Sequence, residues 1–81
     1  MALTKTSLTE FLADTLGVDI AGVDDGTPLF SSGLIDSEDM VELVFFIEGE
    51  EDFQFAPDDI SLDNLDSIAH ILKFVEARRG G

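Results

Sequence analysis

The chain has 81 residues and no cysteine, and 18 acidic against 4 basic side chains give it a formal net charge of -14. A chain of this length is predicted to form one domain, residues 1–81, and the missing thiols exclude a disulfide framework and a thiolate metal site. The negative charge excludes nucleic acid and anionic membrane as partners and favours cationic proteins. Because the chain has no apolar run of ~20 residues and no secretory signal, we expect a cytoplasmic protein.

The first predicted helix covers residues 4–16. Four apolar residues recur on one face at helical spacing: Leu8, Phe11, Leu12 and Leu16. Ser7 and Glu10 have capping-box spacing, and a start a few residues earlier is the alternative. Gly17 is expected to stop the helix.

Residues 18–35 lack a sustained period and are predicted to form a long loop. Glycines, Pro28 and polar residues provide turn chemistry. The loop also contains the apolar residues Val18, Ile20, Val23, Leu29, Phe30, Leu34 and Ile35. Because long loops in compact domains are usually functional or internally packed, we expect these side chains to close the top of a helix bundle.

A second helix is predicted to begin at Asp36-Ser37, with Asp36 as the N-cap. Glu38 and Asp39 lie where a helix dipole favours negative charge. Its predicted apolar face consists of Met40, Val41, Leu43, Val44, Phe46 and Ile47. The run of Gly49 and the acids of 50–52 predicts the end of this helix.

The remaining residues predict a short helix and a last long one. Pro57 suits the first turn of the short helix. The last helix is predicted over about 64–78, with Arg78 and Arg79 complementing its dipole. Its apolar stripe is Leu65, Ile68, Leu72 and Val75, widened by Ile71 and Phe74. The fold class predicted is all-α, a four-helix bundle of three main helices and one short helix.

Catalytic side chains are scarce, which disfavours a small enzyme. The single histidine, His70, lies beside the apolar stripe and is expected at the surface rather than as a general base. The segment Asp24-Asp25-Gly26 lacks the alternating ligands and terminal glutamate of a calcium loop. We therefore expect no catalytic residue and no metal site.

One segment, Gly33-Leu34-Ile35-Asp36-Ser37, places a serine hydroxyl at the first turn of a helix after a glycine-containing loop. Serine at this position is a common helix cap, which is the plain interpretation. The free N–H groups and the dipole of a helix N-terminus also favour an attached phosphate. Ser37 therefore suits esterification by a phosphodiester.

Residues 29–37 resemble the attachment region of acyl and peptidyl carrier proteins, whose Asp-Ser signature matches Asp36-Ser37. Residues 41–43, 57–60 and 64–68 resemble later parts of the same family, in the same order. The resemblance implies a stand-alone carrier of the four-helix type. Ser37 would carry 4′-phosphopantetheine from coenzyme A, and the arm would hold acyl or aminoacyl groups as thioesters.

Two positions depart from the family pattern. Glu38 stands where the family usually has an apolar residue directly after the serine, and that residue helps partner enzymes to bind. Glu51 stands where many relatives have phenylalanine, so the helix is expected to end early or bend, with Phe53 and Phe55 replacing the packing. Neutral drift is the alternative explanation.

The resemblance implies an acidic docking face of Glu38, Asp39, Glu42 and Asp36, for partners that offer arginine and lysine. The expected partners of this monomer are a phosphopantetheinyl transferase, an acyltransferase or adenylating ligase that loads the acyl group, and a ketosynthase or other tailoring enzymes. A merely solvated helix face is the alternative. Four residues are candidates for receiving a growing chain between helices, or for core packing alone: Met40, Val44, Phe46 and Ile68.

Several alternatives remain at this point. Asp66-Ser67 is a second Asp-Ser pair, but no glycine-containing apolar loop precedes it, so Ser37 is preferred. The carriers most similar in character serve polyketide and related secondary metabolism. An aminoacyl or D-alanyl carrier, paired with an adenylating ligase, is the alternative within the family. Outside the family, the alternative is an unmodified acidic helical interaction module.

Overall fold

The computed structural model describes residues 3–80, which form an all-α fold. Its helices are α1 (Lys5–Asp14), α2 (Ser37–Glu51), α3 (Leu62–Leu65) and α4 (Ile68–Gly80), with 3₁₀ turns at Ile20–Gly22 and Pro57–Asp59. The prediction of three main helices and one short helix is confirmed. Within the described residues, no helix has the length and apolarity needed to cross a membrane.

α1 is capped by Thr4, one position before its first residue. Ser7 N donates to Thr4 Oγ1 and Thr4 N donates to Ser7 Oγ, both at 3.0 Å, so these two residues form the capping box. The predicted box of Ser7 and Glu10 is wrong, and the earlier start is confirmed. The helix ends at Asp14, two residues before the predicted end, and Gly17 follows in the left-handed region with φ of 72°.

The core draws on the helices and on the loop between α1 and α2. Its buried apolar residues are Leu3, Leu8, Leu12, Val18, Leu29, Ile35, Leu43, Val44, Ile47, Leu65, Ile68, Ile71 and Val75. Val18, Leu29 and Ile35 come from the loop, which confirms that this segment is internally packed. Leu34 is an exception, because its side chain is exposed.

The buried face of α2 is narrower than the sequence predicted. Leu43 and Ile47, one turn apart, are fully buried, whereas Val41 is 53% exposed and Phe45 is 67% exposed. Residues 41 and 45 also lie one turn apart, on the side of the helix that turns away from the core. Val41 was therefore wrongly assigned to the apolar core face.

The last helix begins later than predicted, because the chain breaks at Asp66-Ser67. In a continuous helix His70 N would donate to the carbonyl of Asp66. Here it donates to Ser67 Oγ at 3.0 Å, while the Asp66 carbonyl accepts from Leu29 N at 2.6 Å. The predicted start at residue 64 is therefore wrong. Residues 62–65 form the separate helix α3, and the predicted short helix at Pro57 is a 3₁₀ turn.

The end of α4 is tied to the end of α2 by Glu51. This carboxylate accepts from Arg79 Nε at 3.0 Å, from Arg79 Nη2 at 2.7 Å and from Leu3 N. Glu51 is also the last residue of α2, because Asp52 adopts the left-handed conformation with φ of 57°. The expected early end is wrong, because α2 runs without a break through Gly49 to Glu51, where the departure from the family pattern forms an ion pair.

Phe53 and Phe55 follow α2 and pack on α4. Their rings contact Phe74 with centroid distances of 6.2 and 5.2 Å. The guanidinium of Arg78 lies 4.8 Å from the Phe53 ring centroid and pairs with Asp59 at 2.5 Å. These contacts confirm that the two phenylalanines supply packing after the helix ends.

Candidate functional site

Ser37 is the first residue of α2, and its side chain is exposed. Among the hydrogen bonds of the described residues, none involves its hydroxyl. The cap is instead the neighbouring Asp36. Asp39 N donates to Asp36 Oδ1 at 3.0 Å, and Asp36 N donates to Asp39 Oδ2 at 3.2 Å. The plain interpretation of Ser37 as a helix cap is therefore wrong, and its Oγ is available for other chemistry.

The start of α2 suits a phosphate attached at Ser37. The backbone N–H groups of Ser37 and Glu38 have no partner within the described part of the chain, since Asp36 satisfies only the N–H groups of Asp39 and Met40. A 15-residue helix also presents the positive end of its dipole there. Free N–H groups and this dipole both stabilise an anion, so the residues present fit a phosphodiester.

The loop before Ser37 closes on itself. Ile35 N donates to the carbonyl of Leu29 at 3.1 Å, and Gly33 N donates to the carbonyl of Phe30 at the same distance. Gly33 has φ of 85°, a conformation that glycine adopts without strain. Leu29 and Ile35, the two ends of this closed segment, are both buried. The backbone therefore reaches Asp36 from a fixed position against the core.

A side chain from the break between α3 and α4 holds the same loop. Asp66 Oδ1 accepts from Phe30 N at 2.8 Å and from Ser31 N at 3.0 Å, and Asp66 Oδ2 accepts from Ser31 Oγ at 2.6 Å. Partial burial acts to raise the pKa of Asp66, but the hydrogen bonds from Ser31, Phe30 and Leu29 outweigh it and lower the pKa. From the sequence, Asp66 was a member of the second Asp-Ser pair and of the 64–68 segment, and its contact with the loop was not predicted.

The acidic residues predicted to form a docking face divide into two pairs. Glu38 and Glu42 are exposed and lie one helical turn apart. Asp36 and Asp39 are engaged in the capping box, and Asp39 is half-buried. Glu38 and Glu42 are thus the two members of the set that are exposed and take part in no side-chain hydrogen bond or ion pair among the described residues.

The four residues considered for receiving a growing chain do not share one surface. Met40 and Val44 line an open apolar groove, together with Val41, Phe45 and Ile60. Phe46 stacks on Phe11 of α1 with a centroid distance of 4.2 Å. Ile68 is fully packed in the core. Only the first two of the four therefore share this groove, whereas Phe46 lines a different open pocket beside α1.

Ser67, the serine of the second Asp-Ser pair, is only 1% exposed. Its Oγ accepts from His70 N at 3.0 Å and lies 2.5 Å from His70 Nδ1, so it caps α4. His70 itself is exposed, which confirms its predicted surface position. Ser37 and Ser67 thus differ in access. The Ser37 side chain is exposed and has no hydrogen-bond partner within residues 3–80, whereas the Ser67 side chain is buried and bonded to two atoms of His70.

The acidic turn at Asp24-Asp25-Gly26 has structural contacts. Asp24 N donates to Thr27 Oγ1 at 2.8 Å, and the Asp25 carbonyl accepts from Ala69 N at 2.9 Å. The Asp25 carboxylate pairs with Lys5 Nζ at 2.7 Å. Across residues 3–80, no group of three or more histidine, aspartate or glutamate side chains is arranged to hold a metal ion.

Comparison with protein families gives a match over most of the chain. A family model described as a phosphopantetheine attachment site matches residues 6–75. The matched range contains all of α1 except Lys5, all of α2 and α3, and most of α4, together with the loop that precedes Ser37.

Proposed function

The chain belongs to the phosphopantetheine attachment-site family, whose members carry 4′-phosphopantetheine covalently, and we propose that it is an acyl carrier protein modified at Ser37. Family membership leaves open which residue takes the group. The observation that supports Ser37 is its exposed hydroxyl, which has no hydrogen-bond partner in the described part of the chain and lies at the start of a helix whose cap is a different residue. Ser67 lacks this access, because it is buried and bonded to His70.

The residues around Ser37 would orient and stabilise the attached group. Asp36 and Asp39 fix the first turn of α2 through their reciprocal hydrogen bonds, so the Ser37 hydroxyl projects from a defined backbone. The free N–H groups of Ser37 and Glu38 would bind the phosphate oxygens. When attached, the arm supplies a terminal thiol that holds acyl groups as thioesters, which explains how a chain without cysteine serves thioester chemistry.

The role proposed for the protein is transport rather than catalysis. A substrate held on a tethered arm reaches each partner enzyme at a raised effective concentration. Glu38 and Glu42, the exposed pair near Ser37, would guide partners that have basic docking patches. These partners are a phosphopantetheinyl transferase, an enzyme that loads the acyl group, and ketosynthases or tailoring enzymes that use it.

The pathway proposed is polyketide or related secondary metabolism, since the discrete carriers of that metabolism are the ones to which the chain is most similar in character. The loading enzyme distinguishes it from an aminoacyl or D-alanyl carrier. Acceptance of a malonyl-type extender from an acyltransferase supports the first, and charging with an amino acid by an adenylating ligase supports the second. Both reactions are read as a mass gain on the modified chain.

The test of the site is a loading reaction with coenzyme A and a phosphopantetheinyl transferase of broad specificity. We expect wild type and Ser67→Ala to gain one phosphopantetheine group, and Ser37→Ala to gain none. Ser67→Ala is the matched control, because it removes the same atom from the other Asp-Ser pair. Loading that persists in Ser37→Ala and vanishes in Ser67→Ala would reverse the assignment. Failure of every chain to load would leave the unmodified acidic interaction module.

A further inference from the structure

Asp66 connects two parts of the chain that are 35 residues apart in sequence. Its carboxylate accepts three hydrogen bonds from Phe30 and Ser31, and its carbonyl accepts one from Leu29 N. All four donors belong to three consecutive loop residues. Neither carboxylate oxygen contacts a cation in the described part of the chain, so the charge of Asp66 is compensated by loop donors alone.

The segment held by Asp66 leads directly to Ser37. Residues 29–35 close on themselves through the bond from Ile35 N to the Leu29 carbonyl, so fixing the first part also fixes the last. Asp36 follows Ile35 and caps α2. The start of α2 is thus held from one side by the core contacts of its own helix and from the other by the loop that Asp66 anchors.

We propose that Asp66 is a positioning residue for the modification of Ser37: by anchoring residues 29–31, it holds the Ser37 hydroxyl in the orientation that the transferase needs. The proposal rests on the proposed function, because it assumes that Ser37 is the modified residue. Asp66 does not touch the reacting hydroxyl and acts only through the loop. Its loss would let the loop sample other conformations while the exposed acids of α2 keep their places.

A positioning role and a purely structural role have different kinetic signatures. If removing Asp66 only unfolds part of the population, less carrier is competent, so the apparent KM for the carrier rises while kcat at saturation is unchanged. If it misorients Ser37 in a chain that still docks, kcat falls while KM stays close to that of wild type. The kcat-to-KM split therefore separates the two roles.

The experiment compares four variants of the full chain in the loading reaction. In Asp66→Ala we expect kcat to fall about tenfold, since small misplacements of a reacting group are costly, with KM within about twofold of wild type. Asp66→Asn keeps an oxygen that accepts the backbone N–H bonds and should retain part of kcat, and Ser31→Ala, which removes one bond, should also be intermediate. Asp63→Asn removes the same charge from an exposed residue of α3 and should match wild type.

A second measurement does not depend on loading. Amide hydrogen exchange of the unmodified Asp66→Ala chain should be faster at residues 29–35 than in wild type and unchanged in the middle of α2 and α4. Faster exchange throughout the chain would indicate that Asp66→Ala has a folding defect. The kcat values of Asp66→Asn and Ser31→Ala would then show whether Asp66 positions Ser37.

Unchanged kcat in Asp66→Ala, or a change in KM alone, would overturn the proposal while leaving Ser37 as the modified residue. Absence of loading in wild type would instead overturn the proposed function, and the positioning role with it.

Discussion

Neighbouring side chains at the start of α2 have separate tasks. The side chains of Asp36 and Asp39 accept hydrogen bonds from each other's backbone N–H groups. Because of this reciprocal capping, the Ser37 hydroxyl is not needed as the cap of α2. A serine that had to cap its own helix would lose a hydrogen bond on modification, at a cost of ~1 kcal/mol. Ser37 can be esterified without that cost, because its hydroxyl makes no hydrogen bond among residues 3–80.

Replacing an exposed acid next to Ser37 tests the docking proposal. Glu42→Lys reverses a charge one turn from Glu38. If the transferase binds this face through basic side chains, as proposed, kcat/KM of loading should fall about 5-fold at low salt. Kinetics at low and high salt provide the measurement. The loss should shrink at high salt, since exposed charges are screened.

Glu10→Lys is the matched control for this variant. Glu10 is exposed on α1 and distant in sequence from Ser37, and its reversal changes the net charge by the same amount. Equal losses in the two variants would show that total charge matters rather than a docking face. An unaltered rate in Glu42→Lys would contradict the docking role of this residue.

The start of α2 at Asp36-Ser37 could be predicted from the sequence, because it depends on residues that are neighbours along the chain. An aspartate before a serine, followed by two acids and an apolar period, specifies a helix start within a few residues. Asp66 could not be identified in this way. Its bonds to Phe30 and Ser31 depend on how the loop folds back, and no short-range pattern at position 66 reports a partner 35 residues earlier.

Among the elements, the ends of α2 and α4 are joined through Glu51. Its side chain is 4% exposed, and its carboxylate accepts hydrogen bonds from Arg79 Nε, Arg79 Nη2 and Leu3 N. Glu51→Gln keeps the shape but removes the charge, so we expect the free energy of unfolding to fall by about 1 kcal/mol, because half-exposed Arg79 keeps part of its hydration. Urea denaturation measures the change.

Glu50→Gln is the control for this element, since it neutralises the adjacent residue, for which no ion pair is present among the described residues. It should be neutral or slightly stabilising, because an acid near a helix C-terminus is unfavourable. If both variants lowered the free energy of unfolding by the same amount, the ion pair of Glu51 with Arg79 would not be the source of the effect.

The same ion pair predicts how stability depends on pH. The hydrogen bond from Arg79 is the main reason that the pKa of Glu51 lies below its ordinary value of 4.5. A carboxyl with a lowered folded-state pKa contributes stability that is complete above its unfolded pKa and is lost as pH falls through the folded pKa. The difference between wild type and Glu51→Gln should therefore be constant near neutral pH and shrink below about pH 4.5. A difference that stayed at its neutral-pH value as the pH fell well below 4.5 would contradict the pairing.

Element types were more predictable than the break before α4. The apolar stripe of 65–75 continues across Asp66-Ser67, so periodicity alone favours one helix. The break arises because Ser67 Oγ takes the N–H of His70 and the Asp66 carbonyl turns to Leu29, and the second of these is a long-range contact. Similarly, Val41 fits the apolar period of α2 but faces away from the core, which the period cannot reveal.

For the whole molecule, charge repulsion is the dominant electrostatic feature. Eighteen acids face four bases, and three of those bases already form ion pairs within the described chain, at Asp25, Asp59 and Glu51. Salt weakens these few attractive pairs but also screens the far more numerous repulsive pairs. The loss of repulsion should therefore decide whether salt raises or lowers the free energy of unfolding. The fold is therefore expected to become more stable as salt is added.

Thermal unfolding monitored by circular dichroism tests this expectation. Raising sodium chloride from a low to a near-molar concentration should increase Tm by about 5 °C, the size of shift that ~1 kcal/mol gives in a domain this small. Magnesium chloride should have the same effect at lower concentration, because divalent ions screen more strongly. A Tm that is flat or falling with salt would show that the three ion pairs outweigh the repulsion.

The claim on which the whole account depends is that one hydroxyl, at Ser37, carries the prosthetic group. The most direct measurement is peptide-level mass spectrometry of the wild-type chain after incubation with coenzyme A and a phosphopantetheinyl transferase. We predict a single added phosphopantetheine group, with fragment ions that place it on Ser37. A group placed on any other residue, or a chain that gains no mass with a transferase active on a known carrier, would contradict the account.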